Sequence, residues 1–186
     1  MKNIIYSKVC RFTLALAATI FLASLVRADD PAPAGKAPAA SPLDPLAFLV
    51  GGEWEAKLPP QANGQQVSIL AHFTWANNHR AIRISNVYAA GTNTMPYIDG
   101  MYAWHPQKKT IAFWYADSKG NFYEGIVKPD SGGLLHEFQV INPQGEAVPY
   151  TARQTRDGAN AWVNEISSIK DGKSQLEVTV RYEKVK

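Results

Sequence analysis

The chain has 186 residues, 46% of them apolar, 11% aromatic and 19% charged, enough for one core and too little for two full domains. Four of its 19 basic residues, Lys2, Lys8, Arg11 and Arg27, fall within the first 28 positions, and without them 15 basic residues face 16 acidic ones. That balance lacks the positive field expected of a chain that holds nucleic acid or an anionic membrane surface. The only cysteine, Cys10, lies in the same stretch, so the rest of the chain has no disulfide, no thiolate metal ligand and no cysteine nucleophile.

In chain order, a short basic segment (Met1 to Arg11) precedes fifteen uncharged residues, Phe12 to Val26, and a small residue at Ala28. This layout predicts a secretory signal peptide over residues 1–28 and an exported protein, periplasmic or extracellular, with no stable membrane insertion after cleavage. The rival reading is a permanent anchor. Fifteen helical residues reach only about 22 Å, short of the ~30 Å hydrocarbon core. Residues 29–42 hold four prolines and five alanines and little to bury, which predicts an extended linker. The folded domain is then expected over 43–186, opening with a helical turn or two at Leu43 to Val50.

From Gly51 onward, short apolar or aromatic runs alternate with nine turn clusters, the last six intervals between them being 11 to 14 residues long. Links this short exclude crossover helices, so about ten strands should form an antiparallel up-and-down sheet. Asp157-Gly158 and Asp171-Gly172 carry hairpin chemistry. Val67, Ile69, Ala71, Phe73 and Trp75 share one face of a strand, and Leu176, Val178, Val180 and Tyr182 share a face opposite Glu177, Thr179, Arg181 and Glu183. Closing ten strands removes both sheet edges, so the expected fold is all-β, a β-barrel wide enough for an internal cavity unless large side chains fill it.

Phe48-Leu49-Val50-Gly51-Gly52-Glu53-Trp54 resembles the start of a calycin-type barrel, the fold of lipocalins, fatty-acid-binding proteins and nitrobindin-like proteins. The texture of Gly100-Met101-Tyr102-Ala103-Trp104-His105-Pro106, then Phe113 to Gly120, then Glu124-Gly125, is similar to that of exported bacterial calycin-like proteins. The resemblance implies a fold over about 140 residues from Pro45 rather than a reaction. It also implies a structural signature, with Trp54 after Gly52 plugging the narrow end and Arg181 from the last strand packing across the indole. Nitrobindin-like relatives hold haem through a histidine near the chain end, and this chain has none after His136.

No nucleophile elbow, His-Glu-x-x-His or phosphate-cradling loop is present, and no catalytic or metal-ligating residue is proposed. The candidate lining of a small-molecule site is Phe73, Tyr102, Trp104, Tyr115 and Trp162, with His136, Glu124 and Arg153 as polar anchors. An inward His136 or His72 would be the route to haem. The expected function is non-catalytic binding of a small apolar or amphipathic molecule. The alternatives are a solidly packed interaction module, or a barrel enzyme acting on a small hydrophobic substrate.

Overall fold

The computed structural model describes residues 40–185. The proposed signal peptide and the first eleven residues of the proposed linker, 29–39, lie outside the described residues. The first element is a 3₁₀ helix, Asp44–Leu49. It is tied at its start by the Asp44 carboxylate accepting from the Ser41 amide at 2.9 Å, and it has Pro45 in its first turn, where the missing N–H costs nothing.

Ten strands follow: β1 (Glu53–Lys57), β2 (Ser68–Ala76), β3 (Ala81–Ala90), β4 (Asn93–His105), β5 (Thr110–Asp117), β6 (Phe122–Asp130), β7 (Gly133–Ile141), β8 (Ala147–Arg156), β9 (Ala161–Lys170) and β10 (Lys173–Lys184). Each pairs antiparallel with its sequence neighbours, and β1 also pairs with β10, closing the barrel. Closure places Trp54 between Ala71 of β2 and Lys184 of β10. At the two-residue hairpin joining β9 and β10, Asp171 and Gly172 both take positive φ, 50° and 71°, matching the right-handed twist of the two strands.

Period-two alternation sorts the side chains. Inward residues include Trp54, Ala71, Phe73, Ile82, Tyr102, Phe113, Val127, Phe138, Ala152 and Trp162, all buried. Intervening residues such as Glu124, Arg153 and Glu165 are exposed. Two inward positions are glycine for lack of room. A Cβ at Gly100 would overlap Tyr115 and the Trp114 carbonyl, and one at Gly125 would overlap Phe138 and the Glu137 carbonyl.

The two ends differ. The 3₁₀ helix covers one, with Leu43, Leu46 and Leu49 fully buried and the Leu49 carbonyl accepting from the Trp54 indole N–H at 2.8 Å. Arg156 stacks its guanidinium 4.0 Å from the Phe48 ring centre at the same end. Arg181 is not on Trp54, contrary to the resemblance. It points outward to pair with Asp157 and Glu183, because its neighbour Tyr182 takes the inward position. The cation nearest the Trp54 ring is Lys184, 5.6 Å from its centre. Gly52 is half-buried between the helix and β1.

Candidate functional site

The far end of the barrel holds a cavity of about 530 Å³ with a partly open mouth, within the range of small-molecule sites, roughly 300–1,000 Å³. Its floor is aromatic. Trp162 stacks on Tyr182 with ring centres 4.1 Å apart and meets Trp54 and Phe73 edge-on at 6.4 and 6.5 Å. Two stacked tyrosine pairs stand higher, Tyr88 with Tyr97 at 4.2 Å and Tyr115 with Tyr123 at 4.8 Å. With Tyr102 and Tyr150, every tyrosine among the described residues lines this one space.

Burial raises the phenol pKa of Tyr102, Tyr115 and Tyr182 well above the ordinary value of 10, with neighbouring tyrosines adding to the effect. Tyr123 is raised by burial and by donating to the Asp117 carboxylate at 2.9 Å. Burial opposes the ionised form of Asp117. Bonds from the Asn121 side chain and backbone, the Tyr123 hydroxyl and the Lys119 amide outweigh it and hold the carboxyl below its usual range.

Four polar atoms on the lining are buried without a hydrogen-bond partner: the amide oxygens of Asn86, Gln154 and Asn164, and the Trp162 indole N–H. Asn86, Gln154 and Trp162 are themselves at most 7% exposed. Each such group left unpaired costs about 1–3 kcal/mol, so a cluster of them on one cavity is an uncommon arrangement.

Two β-bulges shape the mouth. Asn86 pairs with Ile98 and Val87 with Pro96, leaving Tyr97 as the extra residue. Leu176 pairs with Ser167 and Val178 with Ile166, leaving Glu177 as the extra residue. Bulges re-aim side chains, and both of these residues line the cavity. The Tyr150 hydroxyl lies 3.5 Å from the Glu177 carboxylate.

Of the residues expected at the site, Phe73, Tyr102, Tyr115 and Trp162 come together on the lining. Three do not. Glu124 pairs across the sheet with Trp114, whose neighbours Phe113 and Tyr115 point in, so both face outward. Arg153 lies between inward Ala152 and Gln154, and pairs with Asp130 at 2.8 Å on the outer wall. Trp104 has inward parity, but its strand has already run to the helix-covered end, where it borders Pro42 and Pro45.

His136 does point inward, yet it sits below the cavity, edge-on to Tyr102 and Phe113 with ring centres at 6.0 and 5.4 Å. Burial lowers its pKa to about 4, the Ala152 backbone partly opposing. His72 faces outward beside Glu53, 3.4 Å away. Neither position fits an axial haem ligand, since one imidazole is sealed among rings and the other is outside. Among the described residues no cluster of three or more His, Cys, Asp or Glu is placed to hold a metal ion.

The site residues not anticipated from sequence are Asn86, Gln154, Asn164 and Glu177. The first three keep strict alternation with Ile84, Ala152 and Trp162, a signal legible once an inward neighbour is known. Glu177 borders the cavity mouth from its bulge while remaining exposed, and the plain alternation of β10 places it outside. A larger concavity of about 790 Å³ lies on the outer wall beside Trp114, Phe122 and Ile126. It is a shallow, open surface whose polar groups meet solvent, so the enclosed cavity is the candidate site. No protein-family model and no curated protein matches this chain, leaving fold and geometry to carry the functional reading.

Proposed function

We propose that this is an exported, calycin-like binding protein that holds a small amphipathic molecule in the open half of its barrel. One observation carries the reading: buried polar atoms of Asn86, Gln154 and Trp162 stand unpartnered on an open-mouthed cavity of about 530 Å³. A solidly packed module would leave no such space, and its buried amides would find partners within the protein. The closed ten-strand antiparallel barrel with a plugged end is consistent with the calycin resemblance. Binding is favoured over catalysis because the lining offers one carboxylate, Glu177, among phenols held neutral by burial. Among the described residues, no imidazole or second carboxylate lines the cavity to share a proton with it.

Fluorescence titration with the uncharged dye phenylnaphthylamine tests the proposal. The dye should brighten saturably with the wild type. It should fail to do so with Ile166→Trp or Val140→Trp, each of which fills the cavity from a lining position, provided circular dichroism shows the variant folded. Equal brightening in a folded, plugged variant would place the dye elsewhere and overturn the proposal.

A further inference from the structure

We infer that the ligand is a small organic cation on an aromatic or other apolar body, a protonated amine rather than a carboxylate such as a fatty acid. This deepens the binding proposal above and rests on it. Two features of the cavity converge on that class.

The first is charge. Among the described residues, Glu177 is the one acidic side chain on the lining, and no Lys, Arg or His accompanies it. A carboxylate ligand would meet no counter-ion there, and an unpaired charge leaving water is costly. An ammonium would find Glu177 at the mouth.

The second is the tyrosine wall. The negative face of an aromatic ring attracts a cation, by about 0.5–2 kcal/mol per well-placed ring. Tyr88, Tyr97 and Tyr150 stand on the same lining as Glu177, so an ammonium entering the mouth meets rings as well as a carboxylate. The two bulges deliver Tyr97 and Glu177 to this region.

Isothermal titration calorimetry with tryptamine, tryptophol and indoleacetate compares a cation, a neutral molecule and an anion on one ring system. Tryptamine should bind at least about tenfold more tightly than indoleacetate. Glu177→Gln should bring tryptamine close to tryptophol while leaving tryptophol unchanged, which also shows the variant intact. Indoleacetate binding as tightly as tryptamine, or tryptamine affinity unmoved by Glu177→Gln, would overturn the inference. If phenylnaphthylamine still binds in the barrel, only the ligand class has failed. If neither the dye nor any indole binds, the binding proposal falls with it.

Discussion

Replacing His136 by leucine should flatten the acid side of the stability profile. In the folded protein burial lowers the His136 pKa from 6.5 to about 4. Between these values the unfolded chain binds a proton that the folded protein refuses, so stability falls as pH drops from about 6.5 to about 4. At about 1.4 kcal/mol for each tenfold change in proton affinity, the loss approaches about 3 kcal/mol. Above pH 6.5 the group contributes no slope. Below about 4 it is protonated in both states. Asp99 and Asp117, held below their ordinary value of 3.8, lose their contributions only at lower pH, which leaves this window to His136. Leucine fills a similar volume and removes the buried imidazole. Urea denaturation at intervals from pH 7 to 4 is the assay. With m near 1–3 kcal/mol per molar, the wild-type midpoint should fall by about one molar or more while the leucine variant stays nearly level. Identical slopes in the two proteins would refute the buried, uncharged placement of His136.

Trp54→Ala removes a fully buried indole and its bond to the Leu49 carbonyl, and should cost about 3–5 kcal/mol by urea denaturation; a loss under about 1 kcal/mol would contradict the plug. Arg181→Ala, by contrast, removes only outer-wall ion pairs and should leave the midpoint where it is, whereas a large loss would favour packing on Trp54. Gly100→Ala forces a methyl onto Tyr115 and the Trp114 carbonyl, and should cost about 3 kcal/mol or more, at the top of the range for overpacking. Tyrosines whose pKa is raised by burial stabilise the fold below pH 10 and lose that contribution as pH rises further. Phenolate absorbance should therefore appear for Tyr102, Tyr115 and Tyr182 only together with alkaline unfolding.

The barrel was readable because strand length and turn chemistry are local. Nine turn clusters and alternation in β2 and β10 are enough to specify an antiparallel meander, and closure follows from the need to remove its two edges. The inward face of Ile111-Phe113-Trp114-Tyr115 was not readable, because both faces are aromatic. Only pairing with Gly125 and Glu124 decides that Phe113 points in and Trp114 out. Alternation fixes Arg153 outward only if Ala152 and Gln154 are known to be inside, and a small apolar residue beside an amide carries little such signal. Trp104 obeys its parity and still misses the cavity, since where along its axis a barrel is plugged depends on the 3₁₀ helix folding across one end. Glu177 was hidden by a register shift, a property of two strands together rather than of either alone.

Side-chain amide and indole NMR signals locate a ligand directly. On adding tryptamine, the side-chain amides of Asn86, Gln154 and Asn164 and the indole N–H of Trp162 should shift together and saturably, while the indole of Trp114 on the outer wall stays in place. Shifts confined to Trp114 and its neighbours, with the inner set unmoved, would mean that the barrel interior is not where this protein binds.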